Sequence, residues 1–126
     1  CPCNLHSYGG KAYLFCTTAS TWSTAATTRE NYGYILTTVN NSSENVWLVD
    51  TAYTYYRGKW WTGGTDQAVE GTWVWRSAQT WSYSNWHSGE PNNSGNEDCM
   101  QLGRYADYTW NDEPCGSSFF YVCESD

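Results

Sequence analysis

The chain has 126 residues, enough for one hydrophobic core but too few for two, so we expect residues 1–126 to form a single domain. Its net charge of −7 argues against nucleic acid and anionic membranes as main partners, because both attract basic proteins. No apolar stretch is long enough to span a membrane. Aromatic residues reach 18%, with 9 Trp and 11 Tyr, so we expect bulky rings to build most of the core.

The residue pattern predicts one helix among several short strands. A strand is predicted over residues 11–16, followed by a helix over 21–33 with an N-cap at Ser20 or Thr21 and a stop at Gly33. A strand over 34–39 and a polar turn over 40–43 follow, whereas residues 43–54 show no clear helical period. Further strands are predicted over 59–64, 72–75, 98–102, 109–111 and 119–123.

Six cysteines in so short a chain predict disulfide bonds and an oxidising compartment. The spacing of Cys1 and Cys3 does not match the Cys-x-x-Cys pattern of zinc or redox sites. The sequence starts at Cys1 without an apolar leader, as expected for a mature protein after signal-peptide removal. We therefore expect a secreted, extracellular protein.

Oxygen donors are concentrated between residues 90 and 98. Three carboxylates, Glu90, Glu97 and Asp98, lie among asparagines in a segment too rich in Asn, Pro and Gly to be helical. Asp112 adds a fourth carboxylate from a second segment, next to Asn111. Hard oxygen ligands on irregular loops are what Ca²⁺ selects, since it takes six to eight of them. The pattern predicts a calcium site.

Two of these motifs, Glu90-Pro91-Asn92 and Trp110-Asn111-Asp112, resemble the principal metal and sugar site of C-type lectins. Other motifs fall in the order and spacing of the same domain: Tyr8-Gly9-Gly10-Lys11-Ala12-Tyr13, Thr21-Trp22-x-x-Ala25, Gly71-Thr72-Trp73-x-Trp75, Trp81-x-x-x-x-Trp86 and Phe120-Tyr121-Val122-Cys123. The resemblance implies an α+β C-type lectin-like domain with two helices, short antiparallel strands, a long calcium-binding loop and disulfide staples. It places the second helix after Asn41.

The resemblance also implies two calcium sites. The principal site would use Glu90, Asn92, Glu97, Asn111 and Asp112. The auxiliary site would use Asp66, Glu70, Asn93 and Asp98, with the Glu97 carbonyl. The alternative for Asp66 and Glu70 is a pair of solvated acids on a loop. The resemblance further implies a cis Glu90–Pro91 bond, a form that only X-Pro bonds adopt at small cost.

By the same resemblance, two neighbouring sugar hydroxyls would bind Ca²⁺ directly, donate to Glu90 or Glu97 and accept from Asn92 or Asn111. The Glu-Pro-Asn order is the mannose type, which favours glycans and glycoproteins that carry mannose, glucose, N-acetylglucosamine or fucose. Gln-Pro-Asp would favour galactose. Candidate secondary sugar contacts, each of which could equally be ordinary surface, are Ser94, Arg104, Tyr105 and Tyr108.

The disulfide pattern is only partly implied. Cys99–Cys115 matches the family, whereas two of its usual cysteines are replaced here by Ala12 and Arg29. The pairing of the four remaining cysteines, Cys1, Cys3, Cys16 and Cys123, stays open. Cys16 and Cys123 are expected on adjacent strands. An alternative is a covalent homodimer through Cys1 or Cys3.

Two other function classes compete with sugar binding. Paired carboxylates also occur in glycosidases, but metal ligation would use every acid of this cluster and keep it ionised, so we expect no enzyme activity. The second alternative is a lectin-like domain repurposed for protein or ice binding. Asn-x-Ser sequons occur at Asn40, Asn41 and Asn92, and we expect Asn92 to be bare because a glycan would destroy the metal site.

Overall fold

The computed structural model describes residues 3–28, 30–91 and 97–125, except for the side chain of Asn31. Its elements are β1 (Cys3–Tyr8), β2 (Lys11–Ser20), α1 (Trp22–Thr28), a 3₁₀ turn (Glu30–Tyr32), β3 (Tyr34–Leu36), α2 (Ser42–Tyr55), β4 (Trp60–Thr65), β5 (Val74–Trp75), β6 (Cys99–Leu102), β7 (Asn111–Glu113) and β8 (Phe119–Ser125). Neither α-helix in the described ranges combines the length and apolarity needed to cross a membrane.

The described strands join one sheet. Its main order is β1-β2-β8-β4-β6-β7, with β3 also paired to β8 and β5 to β4. All pairs are antiparallel except β4 with β8. This architecture of two helices and a mixed sheet confirms the expected α+β fold.

The strand β1 was not expected from the sequence. It forms a hairpin with β2 through Gly9 and Gly10, whose φ angles of 58° and 84° suit glycine. The register that starts from this turn places Cys3 opposite Cys16, and these two form a disulfide. This disulfide uses Cys3 and contradicts the alternative of a covalent homodimer linked through that residue. Cys1, the other proposed link, lies outside the described residues.

The second described disulfide confirms the pairing that the family implies. Cys99 and Cys115 are joined, which ties the start of β6 to the segment after β7. Cys123 is buried in β8, opposite Leu14 of β2. The bridge holds the start of β6 close to the end of β7, the strand that carries Asn111 and Asp112.

The first helix is shorter than expected. It ends at Thr28, and a 3₁₀ turn leads to Gly33 at φ 83°. The Thr27 and Thr28 hydroxyls donate to carbonyls one turn earlier, an interaction that makes threonine a weak residue for continuing a helix. The expectation of one continuous helix over 21–33 is thus wrong in its second half.

The second helix, implied by the family, is present. Its buried face includes Glu44 and Asn45 besides Leu48, Val49 and Ala52, and these two polar residues break the apolar period. The Asn41 side chain caps the helix by accepting from the Glu44 N–H at 2.8 Å. The Glu44 carboxylate accepts from the Tyr13 hydroxyl and the Asn40 N–H, so its burial is compensated.

Aromatic rings dominate the core, as the composition suggests. Four tryptophans are almost fully buried: Trp60, Trp61, Trp75 and Trp110. One cluster includes residues of α2 and the tryptophans of the long loop, and the other gathers around α1. The long loop, residues 66–98, adds only β5 to the sheet among its described residues and is held by packing.

Candidate functional site

The expected ligands meet where the long loop reaches β7. A bridge joins Trp86 to Trp110, and the His87 N–H donates to the Trp110 carbonyl at 3.0 Å, which brings the loop beside the start of β7. On the other side β6 pairs with β7, with Met100 opposite Asp112. The backbone thereby brings Glu90, Glu97, Asn111 and Asp112 to one end of the sheet.

A buried asparagine of α2 holds the segment just before β7 in place. The Asn45 amide accepts from the Trp110 indole N–H at 2.7 Å and donates to the Tyr108 carbonyl at 2.8 Å. The Asn85 amide donates to the same carbonyl at 2.9 Å. Tyr108 has a φ of 71°, a conformation that costs free energy unless its surroundings hold it. Asn45 and Asn85 are functional candidates that sequence reasoning missed, and only the structure shows what they contact.

Three carboxylates at this end of the sheet repel one another. Burial, and then the neighbouring Asp112 carboxyl, raise the pKa of Glu90. Burial, followed by the charges of Asp112, Glu113 and Glu90, raises the pKa of Glu97 to about 6. The Tyr105 hydroxyl donates to Glu90 Oε2 at 3.0 Å, but the buried Glu90 Oε1 receives no donor from the described residues. Buried oxygens in this state favour a cation.

The Asn111 amide is oriented by two neighbours. Its Nδ2 donates to Gln101 Oε1 at 3.3 Å and to Glu113 Oε1 at 3.2 Å. Lys59 Nζ lies 3.3 Å from the same Glu113 oxygen. Because the Glu113 carboxylate can only accept, the amide nitrogen must face it, and Oδ1 is left for another partner. Gln101 and Glu113 are supporting residues that no sequence motif indicated.

A second acidic group lies beside the first. The carboxylates of Asp66, Glu70 and Asp98 each place an oxygen within 4.8 Å of the others. Asp66 is only 2% exposed, its Oδ2 accepts from the Gly71 N–H at 2.9 Å, and its N–H donates to the Asp98 carbonyl at 3.0 Å. One oxygen each of Asp66 and Asp98 is buried without a donor from the described residues. Asp66 is therefore not a solvated acid, whereas Glu70 is exposed.

Proximity changes the acidity of this second group. Hydrogen bonding to Asp66 raises the pKa of Glu70 to about 7, and the charges of Asp66 and Asp98 act in the same direction. Burial and the Asp66 carboxyl also raise the pKa of Asp98. Near neutral pH the metal-free cluster therefore holds protons that isolated carboxyls would have lost.

In chelator, lowering the pH from 8 to 5.5 should therefore raise the melting temperature. The folded pKa values of Glu70 and Glu97, about 7 and 6, lie above the ordinary glutamate value of 4.5. Their stabilising contribution is fully present below the unfolded pKa and is lost as pH rises through the folded pKa. Melting curves at pH 5.5, 6.5 and 8 measure the effect, which the double variant Glu70→Gln, Glu97→Gln should flatten. A variant with the wild-type pH slope would contradict this origin.

Of the other expected residues, some lie near Glu90 and some do not. The Glu90–Pro91 bond is cis, as expected. The Tyr105 ring stacks on His87 at 3.6 Å and has the Arg104 guanidinium 5.2 Å from its centre, so both lie near Glu90. The Tyr108 hydroxyl instead donates to Asp50 of α2. Three expected residues lie outside the described ranges: Asn92, Asn93 and Ser94.

The donor sets fit a hard divalent cation. Carboxylate and amide oxygens on irregular segments suit calcium, and the buried oxygens without donors would be satisfied by it. Glu90, Glu97, Asn111 and Asp112 would hold one ion, and the cluster of Asp66, Glu70 and Asp98 a second.

Comparison with known proteins identifies the family. The model "Lectin C-type domain" matches residues 18–125. A perlucin-like protein of Mytilus galloprovincialis is 35% identical, covering 98% of this chain and 81% of the relative.

Two solved structures are similar throughout. The cow C-type carbohydrate-recognition domain of CD23, in the presence of GlcNAc2Man3 oligosaccharide, has a TM-score of 0.85 and 32% identity, covering 98% of this chain and 94% of that one. A calcium-independent type II antifreeze protein has a TM-score of 0.87 and 28% identity, covering 99% and 93%. The chain belongs to the C-type lectin domain family, whose domains bind carbohydrate and are not enzymes.

Proposed function

We propose that this protein is a secreted, calcium-dependent lectin for mannose-type glycans. The observation that carries the proposal is the buried Glu90 Oε1, which has no donor in the described residues. The nearby carboxylates of Asp112 and Glu97 add further negative charge at the same place. A bound cation would satisfy this oxygen and offset the repulsion among the three acids. The two disulfides are consistent with an extracellular protein.

Calcium would supply open coordination positions for two neighbouring sugar hydroxyls. Glu90 and Glu97 would then accept hydrogen bonds from these hydroxyls. Both hydrogens of the Asn111 amide are directed to Gln101 and Glu113, so the donor role falls first on Asn92. This assignment narrows the expectation that the sugar hydroxyls accept from Asn92 or Asn111.

The order of Glu90 and Asn92 around Pro91 supports the mannose-type preference. The similar cow domain, whose structure was determined in the presence of a mannose-containing oligosaccharide, supports it independently. One sugar contact gives weak binding, so glycoproteins with several such sugars are the partners that fit best. Tyr105 and Arg104 are placed to add a contact beside Glu90.

A mannose column tests the proposal. The protein should bind in calcium, be released by chelator or free mannose, and resist release by galactose. Asp112→Asn should abolish retention by removing a central carboxylate. Asp50→Asn is the matched control, because this exposed acid of α2 can still accept from Tyr108 as an amide. Retention of the wild type in chelator would refute calcium-dependent binding.

Ice binding is the second candidate. The antifreeze neighbour shares the fold at 28% identity, and residues 12–28 of this chain carry no charge. Thr24, Thr27 and Thr28 are exposed on α1 within that stretch. Thermal hysteresis that persists in chelator would favour this function over the lectin function, whereas a lectin without ice affinity should show none.

A further inference from the structure

Two overlapping sequons precede α2. Asn40 is followed by Asn41 and Ser42, and Asn41 by Ser42 and Ser43, so each asparagine has its own serine two positions later. The two side chains are adjacent and have different environments in the folded protein. Those environments indicate which of them can carry a glycan.

The Asn41 side chain is exposed, and its chemistry suits a linked sugar. Its Oδ1 accepts from the Glu44 N–H at 2.8 Å, as the cap of α2. Because Oδ1 accepts this hydrogen bond, Nδ2 takes no part in the cap. N-glycosylation replaces one Nδ2 hydrogen and leaves Oδ1 unchanged, so the cap survives modification.

The Asn40 side chain is less suitable. It is half-buried, and its Nδ2 donates to Gln79 Oε1 of the long loop at 3.4 Å. Its backbone N–H donates to the buried Glu44 at 2.7 Å, which fixes the chain at this point. A glycan on Nδ2 would displace the Gln79 contact and lie against the long loop.

A groove begins at Asn41. Asn40 and Asn41 both line it, together with Tyr8, Lys11, Tyr13 and Glu44, so two tyrosine rings and polar groups form its walls. The Tyr8 ring is half-exposed and stacks on Trp47 with centres 4.7 Å apart, which holds it in place. Sugars present an apolar face of C–H groups that packs well on such a ring.

We propose that Asn41 is an N-glycosylation site whose first N-acetylglucosamine lies in the groove beside Tyr8. The Asn41 nitrogen forms a bond to C1 of that sugar and loses a proton. The C1–oxygen bond of a lipid diphosphate-linked oligosaccharide breaks, and the lipid diphosphate leaves. The disulfides Cys3–Cys16 and Cys99–Cys115 agree with passage through the oxidising compartment where this reaction occurs.

Two serine substitutions separate the sequons. Ser43→Ala removes only the Asn41 sequon, and Ser42→Ala removes only that of Asn40. Both serines are exposed at the start of α2, where alanine favours helix, so both variants should fold. Full chains secreted from eukaryotic cells should carry a glycan in the wild type and Ser42→Ala, and none at this segment in Ser43→Ala.

Enzymatic deglycosylation in ¹⁸O water, followed by peptide fragmentation, locates the modified residue. It should label Asn41 as aspartate. Label at Asn40, or at neither residue, would overturn the proposal. The result does not depend on calcium or sugar binding, so its failure is distinct from failure of the lectin function.

Comparing the glycosylated protein with Ser43→Ala tests whether the first sugar lies in the groove. The glycan should raise the melting temperature by roughly 3 °C, the size of effect expected from a modest contact in a domain of this length. Tyr8→Ala should remove most of that increment, whereas Tyr32→Ala, at a 73% exposed ring outside the groove, should preserve it. An undiminished increment in Tyr8→Ala would place the sugar elsewhere.

Discussion

Chelation of calcium should lower the melting temperature by roughly 10 °C at neutral pH. A ligand that binds only the folded state stabilises it by about 2.7 kcal/mol at a hundredfold excess over its dissociation constant. In a domain of this size each kcal/mol is worth roughly 4 °C. Buried oxygens of Glu90, Asp66 and Asp98 lack donors in the described residues. Removing the cation would leave these oxygens without a partner, and this loss lowers the melting temperature.

Calorimetry with calcium and with chelator measures this shift, and titration with calcium should restore it. The variant Asp66→Asn, Asp112→Asn removes one carboxylate from each acidic group and should melt at nearly the same temperature in both conditions. Asp50→Asn, the exposed control on α2, should keep the full shift. An unchanged wild-type melting temperature on chelation would rule out calcium as a stabilising ligand.

Exchanging Glu90→Gln together with Asn92→Asp should reverse the sugar preference, changing the mannose-to-galactose affinity ratio at least tenfold. The double change swaps donor and acceptor around the sugar hydroxyls while the net charge stays the same. Calcium affinity should therefore change less than sugar preference, since electrostatic attraction depends on total charge.

Competition by free mannose and free galactose on immobilised glycans gives the ratio, with calcium affinity measured in parallel. Tyr105→Phe is an informative companion, because it removes the hydrogen bond to Glu90 without changing charge. It should weaken binding of both sugars by a similar factor. A double variant that binds calcium but still prefers mannose would show that residues outside this motif set the preference.

Sequence reasoning was most successful where side-chain chemistry and local geometry coincide. The motif from Glu90 to Asn92 and the one from Trp110 to Asp112 indicated an oxygen-rich site, and the structure brings their described residues to one end of the sheet. The motifs could not indicate Gln101, because its role depends on the cross-strand register that places it opposite Asn111. Glu113 lies on the same strand two residues after Asn111, a contact that follows only once residues 111–113 are known to form a strand.

The elements that the residue pattern alone did not indicate have equally specific causes. Helix α2 lacks an apolar period because Glu44 and Asn45, both buried, use hydrogen bonds instead of apolar contacts. The hairpin of β1 was detectable: a two-residue Gly9-Gly10 turn sets the register and pairs Cys3 with Cys16. Attention to that turn would have resolved the first disulfide.

The long loop between β4 and β6 has a consequence for evolution and engineering. It carries Asp66, Glu70 and Glu90, yet among its described residues it supplies only the two-residue β5 to the sheet. Its tryptophans anchor it to the core, while its acids can be exchanged without altering a strand register. Binding specificity in this molecule can therefore be rewritten by grafting loop segments between fixed tryptophan anchors, with the scaffold left unchanged.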